Sequence, residues 1–343
     1  MLTSTRANFT HRRTHRPAVA AARHRLAPAL ARLAAGLALA LALGATFGGA
    51  SAALAAQAGN TAIPVVAAEN FYGDVVKQIG GSYVDVTSIL SNPDQDPHLF
   101  EASPKTARAL QSARVVVYNG ADYDPWMTKL LSATNSGKNG GKPGSTRTTI
   151  VAADLVGKKA GDNPHLWYDP KTMPAVARAV SEALGAADPA HKSVYDANLA
   201  KFLASLQPVD ARVAALRARY QGQPVTATEP VFGYMSDAIG LDMRNQRFQL
   251  AAMNDTEASA SDIAAFERDL RERRVRVLIY NSQATEALTR RMLALARQSK
   301  VPSVSVTETQ PAGVNFQQWM LAQLDALDKA LAASDPTQKP AQH

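Results

Sequence analysis

Short apolar runs alternate with amphipathic stretches along most of this chain. Val65–Ala68 is an apolar run consistent with a strand, and Tyr72–Ile79 then reads as a helix stopped by Gly80 and Gly81. Tyr83–Leu90 alternates at Val84, Val86 and Ile89, the two-residue period of a strand. Ser103-Pro104 places a cap and a first-turn proline before a helix over Lys105–Gln111. Arg114–Tyr118 is a β-branched strand, and Asp169-Pro170 is expected to cap a further helix in the same way as Ser103-Pro104, reaching about Leu184. A helical period then runs over about Pro189–Tyr220, too long for a crossover helix, with Pro208 marking a kink or break. The grammar restarts as strand Val225–Ala227, helix Phe232–Ile239, helix Ser261–Arg273, strand Val275–Tyr280, helix Thr285–Ser299, strand Ser303–Val306 and helix Phe316–Ala333. Strands alternating with helices imply parallel sheets covered on both faces. The pattern predicts an α/β protein: a βα lobe over 57–187, a connector over 188–221 and a second βα lobe over 222–343. Ser132–Thr148, rich in Gly, Ser and Lys, lacks an apolar period and reads as a mobile loop.

The first 56 residues do not belong to this pattern. They hold seven arginines and no acid, then an apolar stretch from about Leu33 to Phe47, then small residues up to Ala56. Basic, apolar and small, in that order, is the layout of a secretory signal peptide, with cleavage expected near Ala56. Its removal changes the charge: 37 Lys+Arg against 29 Asp+Glu become 30 against 29, because the segment takes seven positive charges. A nearly neutral remainder takes away the main support for nucleic-acid binding. The chain has no cysteine, so disulfides, thiolate metal sites and a lipidated cysteine are not expected. These features predict a periplasmic protein, secreted and not lipid-anchored.

Histidine carries the chemistry. Of seven, three (His11, His15, His24) fall in the leader and His343 is the last residue. His98 and His165 lie in near-identical motifs, Asp96-Pro97-His98-Leu99-Phe100 and Asn163-Pro164-His165-Leu166-Trp167, while His191 reads as solvated surface on the connector. Paired imidazoles in a common local sequence point to a shared transition metal. Each follows a proline that limits its loop and each lies beside a βα junction, where ligands of parallel sheets gather. Two more donors are expected from the second lobe. Glu229 follows the strand Val225–Ala227, and Glu308 follows Ser303–Val306. Two neutral imidazoles and two carboxylates balance a divalent cation. Asn281, Tyr168 and Asn70 are candidates to orient these ligands through hydrogen bonds.

These segments resemble the metal-binding solute-binding proteins of ABC transporters that import zinc, manganese or iron. The likeness runs in order through VVAAENFYGDVVKQIGG, DPHLFEASPKTARAL, NGADYDPWMTKLL, NPHLWYDP, TEPVFGYMSDAIGL, VRVLIYNSQ and VTETQP. The resemblance implies two βα lobes joined by one long, rigid helix, with metal held between them. It also implies ligands at His98, His165, Glu229 and Glu308, a membrane permease as partner and a monomeric state. Glu229 stands where zinc-type members carry histidine, and Glu308 where aspartate is more usual; loop 132–148 has no histidine. Two histidines with two carboxylates shift preference toward Mn2+ or Fe2+ relative to a nitrogen-richer site, although Zn2+ stays a candidate by the Irving–Williams order. Capture and delivery without chemistry is the expected function. The alternatives are a metal-binding adhesin or chaperone on the same fold, a receptor for an organic or chelated solute, and a metallohydrolase, for which neither HExxH nor an evident base is present.

Overall fold

The computed structural model describes residues 62–92, 100–135, 147–254, 256–284 and 286–334. The leader and His98, within 93–99, lie outside the described residues.

Two four-stranded parallel sheets are built in the same way. The first consists of β1 (Ile63–Glu69), β2 (Val84–Leu90), β3 (Val115–Tyr118) and β4 (Thr148–Val151), in the order β2-β1-β3-β4. The second consists of β5 (Pro224–Ala227), β6 (Asp242–Arg244), β7 (Leu278–Asn281) and β8 (Ser303–Val306), in the order β6-β5-β7-β8. In each, the chain leaves the first central strand to one side and returns on the other. This creates a topological switch point between β1 and β3, and another between β5 and β7. The central strands are nearly continuous hydrophobic runs because helices cover both their faces.

Helices of the first lobe are α1 (Asn70–Gly80), α2 (Pro104–Ser112), α3 (Pro125–Asn135), the short α4 (Ala152–Leu155) and α5 (Thr172–Ala187). Ser103 caps α2 as expected, its hydroxyl accepting from the Thr106 N–H at 3.2 Å with Pro104 in the first turn. Asp169 does not cap α5. Its carboxylate accepts from the Lys171 N–H at 3.0 Å, and the helix starts at Thr172 after Lys171 with no side-chain cap.

The connector is two helices end to end, α6 (Lys192–Ser205) and α7 (Gln207–Tyr220). Pro208 has no N–H to bond back to Ala204, and the break falls at Leu206. Leu206 keeps right-handed helical torsions, φ −81° and ψ −18°, so the helical path continues through the break. His191 closes a 3-10 turn ahead of α6. Its Nδ1 lies 2.6 Å from Asp188 and its ring stacks on Tyr83 at 4.0 Å, so it is half-buried rather than fully solvated.

The second lobe adds α8 (Gly233–Ile239), α9 (Gln246–Met253), α10 (Ala260–Arg271), α11 (Ala287–Gln298) and α12 (Phe316–Ala333). Asn315 and Gln318 form a reciprocal capping box at the start of α12. The expected loop 132–148 is only partly a loop: α3 runs to Asn135, Thr148 opens β4, and 136–146 lie outside the described residues.

The main apolar core does not stop at the lobe boundary. One cluster runs from Ile63 and Val117 of the first sheet, through Trp167, Tyr168, Phe202 and Val213, to Val225 and Ile279 of the second sheet and Trp319 of α12. Trp319 lies 6.0 Å from Phe71 and 5.7 Å from Tyr168, ring to ring. A polar stripe reinforces this contact. Asn70, Asp74 and Gln78, one turn apart along α1, bond to Gln310, to the Phe316 N–H and to Gln317 respectively. Among the described residues, no helix is long and apolar enough to cross a membrane.

Candidate metal centre

Both switch points end in a Glu on one strand and a Tyr-Asn pair on the other. Glu69 closes β1 and Tyr118-Asn119 leave β3; Glu229 follows β5 and Tyr280-Asn281 close β7. The structure brings three of the four expected ligands to this end of the sheets and buries each: His165, Glu229 and Glu308.

His165 is fixed by its own motif. Asn163 Oδ1 lies 2.6 Å from His165 Nδ1 and also accepts the His165 backbone N–H, while Asn163 Nδ2 donates to the Pro230 carbonyl. That pattern identifies Oδ1 as an acceptor, so Nδ1 carries a hydrogen, and a neutral ring held this way has its lone pair at Nε2. Gly233 makes room for this arrangement, since a Cβ there would stand 2.9 Å from Asn163 Nδ2. His165 Nε2 is buried without a hydrogen bond and faces Glu308 Oε2 at 3.5 Å. An imidazole nitrogen and a carboxylate oxygen this close, out of water, can be bridged by a cation when the ring is neutral.

Asn281 joins the two carboxylates. Its Nδ2 donates to Glu229 Oε2 at 3.0 Å and to Glu308 Oε1 at 2.6 Å. Gln283 fixes the Glu308 backbone, its Oε1 accepting the Glu308 and Thr309 N–H groups. Tyr168 donates to the Thr307 carbonyl at 2.8 Å, and the Asn70 amide pairs with both backbone groups of Gln310. The three residues expected to orient ligands therefore touch Glu229, Glu308 or the segment carrying Glu308. Among the described residues, no three His, Asp or Glu side chains converge as a group able to hold a metal. Asn281 stands between Glu229 and Glu308, and His98 is outside the described residues. Asn281→Leu leaves two buried carboxylates without their shared donor. It is expected to lower the stability of the metal-free protein by about 1–3 kcal/mol in denaturant titrations at neutral pH.

The sequence reading missed a group behind His165. Tyr123 packs edge-on to His165 and Trp167 and directs its hydroxyl to Glu308. Burial, followed by the Glu308 charge, raises the Tyr123 pKa well above its usual value, so the phenol remains a donor. Tyr123 is presented by a turn in which Gly120, Ala121 and Asp122 all have positive φ, at 75°, 50° and 64°. For Ala121 and Asp122 this costs about 1–3 kcal/mol each. Asp124 offsets the cost, accepting the Asn119 N–H at 2.7 Å and the Gly120 N–H at 2.8 Å. Burial pushes Asp124 up to about 6 despite these two bonds. Glu69, fully buried beside it, lies well above the ordinary carboxylate range through burial and then through the charge of Asp124. No local motif marked these residues, although Tyr123 and Asp124 lie within a segment that carried the family resemblance.

Comparison with known proteins agrees with this architecture. Residues 65–330 match the family ZnuA, described as zinc-uptake complex component A periplasmic. The manganese ABC transporter substrate-binding lipoprotein PsaA of Streptococcus pneumoniae is 24% identical over 247 residues, 70% of this chain and 77% of that protein. The metal ABC transporter substrate-binding lipoprotein SloC of Streptococcus mutans is 25% identical over 285 residues, covering 79% and 90%. In fold, the chain is similar to the periplasmic zinc-binding protein TroA from Treponema pallidum, with a TM-score of 0.65 and 20% identity over 78% of this chain and 99% of that one.

These relatives correct one expectation. PsaA and SloC are named lipoproteins, so the reading of this chain as secreted and not lipid-anchored is withdrawn. The part of that reading that excluded a lipid anchor rested on the missing cysteine alone, and one attachment chemistry does not decide how a protein is held at a membrane. The family match spans both sheets and the connector, and on it the chain belongs to the ZnuA family of zinc-uptake component A proteins.

Proposed function

We propose that this protein captures a divalent transition metal ion between its two lobes and delivers it to the membrane permease of an ABC importer. The ion is the cargo, and His98, His165, Glu229 and Glu308 are its ligands. The observation that carries this reading is the buried pair His165 Nε2 and Glu308 Oε2, 3.5 Å apart at the sheet ends. Asn281, Tyr168 and Asn70 orient the ligands by the hydrogen bonds described above. The unit acts as a monomer on metal alone, without catalysis and without nucleic acid; the near balance of charge beyond residue 56 supports the last point. Lobe, connector and lobe divide at 57–187, 188–221 and 222–343.

Nitrogen and oxygen donors without thiolate suit Mn2+, Fe2+ and Zn2+, and the two carboxylates favour the first two relative to a three-histidine site. Among the relatives, PsaA is named for manganese and TroA for zinc. Calorimetric titration of the chelator-stripped protein with each metal, against competing chelators, tests the reading. One tight site is the expected result, and no binding of any of the three ions refutes it. Affinity is also expected to fall as pH drops from about 7 to 5, because an imidazole must be neutral to ligate. A flat profile over that range argues against histidine ligands.

A further inference from the structure

Glu69 occupies, in the first lobe, the place that Glu229 holds in the second: the acid after the first central strand, across the switch point from a Tyr-Asn pair. Its surroundings differ. Both Glu69 carboxyl oxygens are buried, and among the described residues no N–H or O–H of another residue bonds to them; within reach on its own residue is the Glu69 backbone N–H. Its hydrogen-bond neighbour is the Asp124 carboxyl. Two carboxyls in contact away from water cannot both be ionised, and Asp124 already accepts two backbone N–H groups. The hydrogen bond open to Glu69 is therefore one in which Glu69 is the donor.

From Asp124 the network leads to the metal centre along two routes. Asp124 holds the left-handed turn that presents Tyr123 to Glu308. It also holds the Asn119 backbone, whose side chain donates to the Pro164 carbonyl at 2.8 Å while accepting from the Tyr72 hydroxyl at 2.7 Å. Pro164 precedes His165 in the chain, so the same peptide that Asn119 grips carries the ligand.

We infer that Glu69 is a positioning residue for the metal centre: as a neutral hydrogen-bond donor to Asp124 it fixes the 119–124 turn and, through Asn119, the peptide that bears His165. The inference rests on the proposed metal capture for its functional half, while its structural half stands without metal. The groups facing Glu69 are Asp124 from the turn, Tyr72 from α1 and Tyr123, and both phenols are raised well above their usual range. No cation is among the influences on the Glu69 carboxyl, which fits a proton being retained there.

The test compares Glu69→Gln, which can still donate to Asp124, with Glu69→Met, which fills the space but cannot donate. Mn2+ and Zn2+ titrations are expected to show Glu69→Gln within about threefold of wild type and Glu69→Met weakened about 10–100-fold, the range for residues that orient ligands. Equal affinity in all three proteins overturns the inference. So does an equal loss in both variants, which means that the carboxyl itself is needed. Two measurements without metal separate this inference from the capture reading. Amide exchange of Asn119 and Gly120 should be faster in Glu69→Met and unchanged in Glu69→Gln. Stability relative to Glu69→Gln should decline in wild type as pH rises from about 5 to 8. The sign follows from linkage: a carboxyl raised in the folded state stabilises below its unfolded pKa, and that stability is lost as pH rises through the folded value. A wild type that binds no metal yet shows both effects keeps the network and rejects capture. A pH profile identical in wild type and Glu69→Gln rejects the retained proton, and with it the inference, even where Glu69→Met does not fold.

Discussion

His165→Ala is expected to lower metal affinity about 100-fold. Four-ligand zinc sites bind with about 10–16 kcal/mol, so one ligand corresponds to roughly 3 kcal/mol, or about two decades in Kd. His165 should reach this figure because nothing nearby can replace it. The ring is buried, its tautomer is set by Asn163, and among the described residues it is the one imidazole at this end of the sheets. The same titration on Glu229→Ala should also give a severe loss. Stability gives a second readout: saturating metal should raise the unfolding midpoint of wild type, and raise that of His165→Ala far less. If His165→Ala binds within about threefold of wild type, the centre lies elsewhere.

Trp319→Ala should cost about 3–5 kcal/mol of stability, the range for a buried large aromatic. The ring is 1% exposed and touches Phe71 and Tyr168 of the first lobe as well as Phe316 of its own helix. Its loss opens a cavity at the contact between lobes and loosens Tyr168, whose hydroxyl holds the Thr307 carbonyl beside Glu308. A weaker affinity should therefore accompany the lower stability, and Trp319→Phe should recover part of both. Denaturant unfolding and calorimetry on the three proteins decide the point. An unchanged affinity in Trp319→Ala breaks the proposed link between the aromatic contact and the centre.

What the sequence reveals follows from where each element sits. β1, β3, β5 and β8 read clearly, the first three being central strands with apolar residues on both faces. β4 and β6 do not. Both are edge strands, and Thr148, Thr149 and Asp242 are exposed, so neither period nor hydropathy marks them. α9 is not marked in the sequence because it starts from Asn245 in a left-handed conformation, not from a standard cap. Within the site, the Pro-His motifs and the strand-end acids were local signals. The Glu69–Asp124–Asn119–Pro164 path was not legible, because it joins segments almost a hundred residues apart through bonds that no local pattern encodes. Nothing in the local sequence sets Glu69 apart, and its complete burial is what marks it as unusual.

The shared apolar core has a consequence for delivery. Swinging the two sheets apart would expose Trp167, Phe202, Trp319 and their neighbours to water, a cost of about 1.5–3 kcal/mol per large side chain, and so the outline of the protein is held fixed. For the site proposed above, metal is then expected to enter and leave through small excursions of the loops at the sheet ends, and scattering profiles of the empty and loaded protein should nearly superimpose. A permease that recognises the outer surface therefore meets two nearly identical visitors. The empty form becomes a competitor of the loaded one, and import slows as the ratio of empty to loaded protein rises, even at a constant concentration of cargo-bearing molecules.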